Sequence, residues 1–292
     1  MEPLDSTADA DWLLARVGSW ATVGGVAGTG FEAYARILHP VQAWQDDPAE
    51  GGRGHGRLSE TRWPWAEVAR RNQRTMHPLV QWFSLTDDEE RRDFADGWHV
   101  GQSETGQLAA DLLAALTVPL GRHTATPDDI TAGVWHGWGD LHVDGGGFLL
   151  LFSEDVAPEE RERERVRAEA AWREERRRSV SPAVQQMVEH GPFLAGPGRE
   201  FMPFHTSLGE LADPEWVTRA GLAGVMPQLL WPADHRWVVA SEIDWDSTIV
   251  AGARTLVDEI LASDVWESFE VHETSDLTWD GDVINPRPPG RG

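Results

Sequence analysis

The feature that most constrains this chain is the complete absence of cysteine from its 292 residues. Without thiolates, disulfides, zinc–thiolate sites and iron–sulfur clusters are excluded, so apolar burial has to hold the fold together. The chain supplies that burial, because 40% of its residues are hydrophobic and 16 are tryptophan against one tyrosine. Its length and apolar content are enough for a sizeable core, which excludes wholesale disorder.

Lysine is also absent, so all 25 basic residues are arginine, and 49 acidic residues bring the net charge to −24. The missing amine excludes pyridoxal Schiff bases, lysine general bases and phosphate loops ending in Gly-Lys-Ser/Thr. The charge repels phosphate backbones and anionic lipids, so we expect neither nucleic acid nor membrane as a partner. A functional and an environmental origin of this acidity are both open at this point.

The start of the chain, Met-Glu-Pro-Leu-Asp, lacks a basic region followed by an apolar run, which predicts no signal peptide. No stretch approaches the roughly 18 to 20 apolar residues needed to span a bilayer. We therefore expect a cytoplasmic protein.

Apolar periodicity predicts strands at residues 31–40, 77–83, 130–139, 148–152 and 236–244, and helices at 65–73, 106–116 and from 246–248 onward. The glycine-rich residues 24–30 are expected to form a loop. These patterns predict a single α+β domain over residues 1–284, with a mostly antiparallel or mixed sheet and helices packed on one side.

Residues 158–178 change character, with glutamate and arginine three or four residues apart, which is typical of a solvated helix. The stretch that follows shows no period. Residues 155–214 are therefore predicted to form an insertion within the domain, consisting of a charged helix and a long loop. The proline- and glycine-rich residues 285–292 are predicted to be a disordered tail.

Three carboxylates follow each other at alternate positions near residue 244. If residues 236–246 are extended, Glu242, Asp244 and Asp246 share one face at intervals of roughly 6.6 to 7 Å. The repulsion between these three carboxylates has to be offset by arginine, a helix N-terminus, water or a divalent cation. Salt bridges and caps, a binding site and carboxylate catalysis through Glu242 and Asp244 all remain as interpretations.

A second cluster combines imidazoles and carboxylates in a glycine-rich segment. Two histidines and a carboxylate can hold zinc or ferrous iron, although this spacing is no established signature. The default is a surface loop without any cofactor, and a divalent metal is the alternative. The candidate ligands are His136, Asp140, His142 and Asp144.

The segment from Trp231 to Thr248, which reads WPADHRWVVASEIDWDST, resembles an uncharacterised family of actinobacterial proteins. Shorter pieces are similar to the same family, at residues 34–40, 123–127, 135–139 and 280–286. These pieces are spread over most of the chain, which favours one domain. The resemblance implies a bacterial cytoplasmic protein and brings no known activity, cofactor or catalytic residue.

Indole rings have large apolar faces and one N–H donor, so they serve cores, protein interfaces and sugar-stacking surfaces. Negative charge beside such rings favours a non-catalytic binding protein that docks a protein partner, including basic ones, as a toxin-neutralising immunity protein does. The alternatives are a metal-assisted or carboxylate-based hydrolase and a tryptophan-lined small-molecule or sugar binder. The candidate binding residues are Trp135, Trp138, Trp231, Arg236, Trp237, Glu242, Asp244, Trp245 and Asp246.

Overall fold

The computed structural model describes residues 1–46, 57–87, 91–142, 157–196 and 199–285. Its strands within these ranges are β1 Glu2–Pro3, β2 Ala33–Leu38, β3 Val41–Asp46, β4 Arg57–Trp63, β5 Arg92–Asp93, β6 Trp98–Ser103, β7 Ile130–Trp135, β8 Leu194–Gly196, β9 Arg199–Thr206, β10 Leu229–Pro232, β11 Val238–Ser241, β12 Ser247–Gly252 and β13 Ser268–Val271. The helices there are α1 Asp11–Leu14, α2 Val23–Ala27, α3 Trp65–Asn72, α4 Trp82–Thr86, α5 Ala110–Arg122, α6 Pro158–Ser179, α7 Pro182–His190, α8 Leu208–Leu211, α9 Trp216–Arg219 and α10 Arg254–Leu261.

The larger of two sheets has the order β1-β9-β7-β10-β11-β12-β2-β13, with β8 added beside β9. Every neighbouring pair is antiparallel. Its central strands are apolar on both faces, and all residues of β12 and β2 are buried. Burial on both sides of the sheet explains these continuous apolar runs, since a strand with one exposed face would alternate apolar and polar residues.

The smaller sheet has the order β4-β3-β6-β5 and is also antiparallel. The chain passes from β2 in the larger sheet to β3 in the smaller one through His39 and Pro40. The backbone carbonyl of His39 accepts bonds from the Trp65 indole at 2.8 Å and the Ser103 hydroxyl at 2.9 Å. These two bonds hold the backbone between the sheets, where the hydrogen bonds between strands of neither sheet continue.

Three apolar clusters hold the layers together. On one face of the larger sheet, α5, α7, α8, α9 and α10 bury a core that includes Leu116, Trp216 and Ile260. The short α1 and α2 cover part of the other face. The third cluster joins the smaller sheet to α3 and α4. The chain is thus a single α+β domain with antiparallel sheets, as the sequence predicted.

The charged helix is confirmed as α6, Pro158–Ser179, and ion pairs join Glu162 to Arg165, Glu169 to Arg173 and Glu174 to Arg178. The long loop expected after it is wrong, because α7, β8, β9 and α8 occupy that stretch and β9 pairs with β7 inside the larger sheet. The sequence does not predict β9, because the centre of this strand is buried on both faces and so shows no alternation of polar and apolar residues. The division into a domain with an insertion at 155–214 stays a prediction.

Three local predictions are wrong. Residues 24–30 begin in α2, whose N-cap Thr22 accepts from the Gly25 N–H. The helix predicted from residues 246–248 onward does not begin there: Ser247 opens β12, because β-branched side chains of this segment enter the sheet centre. The strand predicted at residues 77–83 is absent, because side chains bind the backbone polar groups of residues 78–81 and α4 begins at Trp82. The strand predicted at 148–152 lies outside the described residues, and so do residues 286–292 of the predicted tail. The first residue of that tail, Asn285, is instead buried and hydrogen-bonded to Thr75.

No helix in the described ranges combines the length and apolar character needed to cross a membrane.

Asp282 fastens residues 276–285 onto residues 75–81. Its fully buried carboxylate lies 2.8 Å from the His77 Nε2 and accepts from the backbone N–H groups of Gln81 at 3.2 Å and Asn285 at 3.0 Å. Asn285 in turn bonds both backbone groups of Thr75.

We expect Asp282→Ala to lower the free energy of unfolding by about 3 kcal/mol, because several buried donors lose their acceptor together. Urea denaturation measures the change. Asp264→Ala, at an exposed position, is the matched control and should change the value by less than about 0.5 kcal/mol. Equal stability of the two variants would contradict the anchoring role.

Candidate functional site

The turn between β11 and β12 forms one wall of a cleft of about 160 Å³, which we name the indole cleft after Trp20, Trp245 and Trp279 in its lining. Arg36, Glu242 and other polar side chains complete its surface: Gln81, Asp244, Asp246 and Thr278. The cleft therefore combines aromatic faces with charged groups, which is the usual composition of a ligand site.

A tight turn shapes this wall. The Trp245 N–H donates to the Glu242 carbonyl at 2.9 Å, and the Gly106 N–H donates to the Trp245 carbonyl at 2.8 Å. Gly106 has φ +74, and a Cβ there would lie 2.8 Å from the Ile243 backbone. Only glycine allows both this conformation and this approach. The extended run predicted to Asp246 thus ends at Ser241, and the three carboxylates do not follow one another along a strand.

Arg36 and Asp246 form the floor of the indole cleft. Both are buried, at 1% and 8% exposure, and the Arg36 Nη2 lies 3.6 Å from the Asp246 Oδ1. The Arg36 Nε donates to the Ser247 hydroxyl at 3.0 Å. Its Nη1 donates to the carbonyls of Pro78 at 3.0 Å and Val80 at 2.8 Å. The guanidinium is therefore held firmly, with Nη2 facing Asp246.

Burial shifts both groups of this pair toward their neutral forms. It raises the pKa of the Asp246 carboxyl from 3.8 to about 6, against the opposing attraction of Arg36. It lowers the pKa of Arg36 to about 10, with Asp246 and Asp282 working in the opposite direction. Asp246 can therefore exchange a proton near neutral pH, while Arg36 keeps its charge.

Arg199, the first residue of β9, binds the other two carboxylates. It donates to the Glu242 Oε1 at 3.0 Å and to the Asp244 Oδ2 at 2.7 Å. Glu242 is 9% exposed, whereas most of the Asp244 side chain is in solvent. Arginine side chains thus offset the repulsion expected from the sequence. Arg199 binds Glu242 and Asp244, and Arg36 faces Asp246.

A narrow apolar slot continues from the indole cleft between α1, α2 and the larger sheet, with a volume of about 50 Å³. It shares Trp20, Val26 and Glu242 with the cleft, and Leu13 and Phe201 lie further along it. A ligand in the cleft thus meets a polar floor at one side and hydrocarbon at the other.

The aromatic mouth of the cleft comes from residues that the sequence analysis missed. Trp20 is 61% exposed and Trp279 is 54% exposed, and the Trp279 ring packs against Phe83 at 4.9 Å. Arg36 and Arg199 were missed too. A single arginine inside the otherwise apolar Ala33–Leu38 was the available signal for Arg36, whereas nothing local marks Trp20 or Trp279.

The predicted binding residues divide into separate groups. Glu242, Asp244, Trp245 and Asp246 line the indole cleft. Trp135 lies next to it, with its ring 5.7 Å from the Arg199 guanidinium and 5.4 Å from the Trp138 ring.

The remaining three lie elsewhere. Trp231 and Trp237 are core residues at 1% and 0% exposure, so the docking face that included them is not formed. They are buried because β10 and the segment before β11 lie in the middle of the larger sheet. Arg236 is exposed and lines a different cleft.

The candidate metal ligands are engaged in other contacts. Asp140 forms an ion pair with Arg176, and the His142 Nε2 lies 2.8 Å from the His136 carbonyl. The rings of His136 and His142 are 6.5 Å apart. No group of three or more potential ligands is placed to hold an ion in the described ranges, and Asp144 lies outside them. A metal at this cluster stays a prediction.

The raised pKa of Asp246 predicts a specific pH dependence of stability. Because the folded state binds this proton more tightly than the unfolded state, the contribution is greatest below pH 4 and is lost as pH rises through 6. Relative to Asp246→Asn, the wild-type free energy of unfolding should therefore fall by about 1 kcal/mol between pH 5 and pH 7. Urea denaturation at several pH values measures both chains, and parallel curves would contradict the shift.

Comparison with known proteins finds no protein family, curated protein or solved structure that matches the chain. The resemblance to an actinobacterial family therefore stays a prediction, and any function has to be argued from the geometry of the clefts.

Proposed function

We propose that this chain is a non-catalytic binding protein that holds a small, hydroxyl-rich molecule of the monosaccharide class in the indole cleft. The observation that carries this proposal is the buried Arg36–Asp246 pair beneath exposed indole rings. Buried charged groups that converge on a concave surface are candidates for a ligand site, because burying them is costly.

The volume of the cleft limits the size of its ligand. At about 160 Å³ it is smaller than the roughly 300 to 1,000 Å³ typical of sites for drug-sized molecules. A single sugar ring is the scale of molecule that such a space accepts, whereas a peptide or an oligosaccharide has to extend beyond it.

The chemistry of the lining matches a sugar ring. Indole faces such as Trp20 and Trp279 pack against apolar C–H surfaces, and sugars present these beside their hydroxyl groups. Asp246 and Glu242 can accept from hydroxyl groups, while the Arg36 guanidinium can donate to them. One ligand type thus uses both kinds of surface at once.

Charge adds a preference within this class. The carboxylates of Glu242, Asp244 and Asp246 outnumber the guanidinium groups of Arg36 and Arg199. The cleft is therefore negative when Asp246 is ionised. An amino sugar should bind more tightly than a neutral sugar, and a uronic acid should bind least tightly.

Protein docking is the second candidate, favoured by the exposure of Trp20 and Trp279 within a chain of net charge −24. Exposed aromatic residues anchor protein interfaces, and negative charge steers basic partners. This keeps the immunity-type interaction as a proposal, on different indole rings from those predicted. Docking on these exposed rings does not use the polar groups at the floor of the indole cleft, so sugar binding ranks first.

Catalysis by Glu242 and Asp244 is less well supported. Both carboxylates are engaged by the same Arg199 guanidinium, which occupies oxygens that an acid or a base would use.

Trp20→Ala and Trp279→Ala should each weaken glucosamine binding about tenfold, because an aromatic packing surface contributes roughly 1 kcal/mol or more. Isothermal titration calorimetry with glucosamine, glucose and glucuronate measures the order of affinities. Trp172→Ala on α6 is the matched control, since Trp172 packs on Arg176 away from the cleft, and its affinity should stay within twofold.

Two results would decide against the proposal. Absence of saturable binding for all three sugars would exclude it, and equal losses in Trp172→Ala would show that the indole cleft is not the site. If sugars fail while a basic protein partner binds at low salt and is lost in Trp20→Ala, protein docking is the function.

A further inference from the structure

A second cleft, of about 680 Å³, lies at the opposite end of β11 from the indole cleft. Three arginines, Arg16, Arg122 and Arg236, line it together with His123 and His235, and we name it the arginine cleft. It is formed by described residues that play no part in the site discussed above.

Hydrogen bonds fix the turn on which Arg236 stands. The Asp234 carboxylate accepts from the Thr124 hydroxyl at 2.9 Å, from the Ala125 N–H at 2.7 Å and from the Arg236 N–H at 3.3 Å. His235 has φ +57, in the left-handed region, and its ring stacks on Trp12 at 4.1 Å. The Arg16 guanidinium lies 5.5 Å from the same indole. The wall of the cleft is therefore ordered before any ligand arrives.

Arg16 and Arg236 form no ion pair with any carboxylate in the part of the chain that the structure describes. This is unexpected on electrostatic grounds, because 49 acidic residues compete for 25 arginines. Arg122 differs, since it pairs with Glu259 outside the lining of the cleft. Two guanidinium groups without a carboxylate partner thus face one cavity.

The carboxylates in the lining are occupied by other donors. Asp234 is held by the bonds of its own turn. Glu32 accepts from the Arg254 N–H at 2.9 Å, and Arg254 also binds Glu270. Neither carboxylate neutralises Arg16 or Arg236, although both reduce the positive potential of the cleft.

We propose that the arginine cleft binds a small phosphate monoester, whose phosphate is held by Arg16 and Arg236. A carboxylate is satisfied by one guanidinium fork, whereas a phosphate has three equivalent oxygens and can engage two forks together. The cleft is much larger than a phosphate ion, and the Phe31 and His235 rings in its lining suit an apolar organic part. A free phosphate ion shares the recognised chemistry.

The net charge of −24 does not prevent such binding. At physiological ionic strength the field of distant carboxylates decays over roughly 8 Å, so groups in the cleft decide the local affinity. A long polyanion such as duplex DNA is different, because its phosphates extend beyond the cleft and meet the acidic surface.

The test uses calorimetric titration of the purified chain with phenyl phosphate, inorganic phosphate, benzoate and a duplex oligonucleotide. Phenyl phosphate should bind with one-to-one stoichiometry and more tightly than benzoate, and the oligonucleotide should not bind. Arg16→Gln and Arg236→Gln should each weaken phenyl phosphate binding at least about tenfold, as expected for a lost hydrogen bond to a charged group. Arg167→Gln, an exposed arginine on α6, is the matched control and should change the affinity less than twofold.

Each outcome decides the question. Tighter binding of phenyl phosphate than of inorganic phosphate supports an organic phosphate, and equal affinities support the free ion at the same site. No saturable binding of either phosphate, equal effects of all three variants, or benzoate binding as tightly as phenyl phosphate would overturn the proposal. Thermal melting identifies any unfolding of Arg16→Gln, and in that case Arg236→Gln decides, since the Arg236 side chain is exposed.

Discussion

One buried guanidinium connects most of the structure around the indole cleft. Arg36 stands in the middle of β2, binds the backbone of residues 78–80, donates to β12 through Ser247 and faces Asp246. Burying such a group is costly unless its donors are satisfied, so the segments around it must take up their positions together. The irregular backbone of residues 77–81 follows from this, because its carbonyls bond Arg36 instead of a neighbouring strand.

The two clefts lie at opposite ends of one short strand and have opposite electrostatic character. At the Glu242 end of β11, carboxylates outnumber arginines, and at the Arg236 end two arginines lack carboxylate partners among the described residues. The overall charge of −24 hides this division. An acidic composition therefore predicts little about an individual cleft, since local pairing within a Debye length determines which ligand a site favours.

Periodicity predicted what depends on local pattern, and it failed where distant residues decide. The charged helix α6 and the amphipathic α5 were expected because their spacing is visible in the sequence. The strand β9 was missed because burial on both faces removes alternation. Charge alone pointed to three residues of the indole cleft, Glu242, Asp244 and Asp246. The prediction that they share one face of a strand was wrong, because a turn bonded to Gly106 interrupts the strand. Trp231 and Trp237 show that tryptophan content alone does not distinguish a binding surface from a core.

The indole cleft draws Trp20 and Arg36 from near one end of the described chain and Trp279 from near the other, where Asp282 and Asn285 hold the last described segment against residues 75–81. A ribosome releases these parts at widely separated times. The cleft consequently cannot exist on a nascent chain that still lacks residues 277–285, however much of the sheet has already formed. Ligand capture by this site would report that residues 277–285 have been synthesised and have folded against residues 75–81.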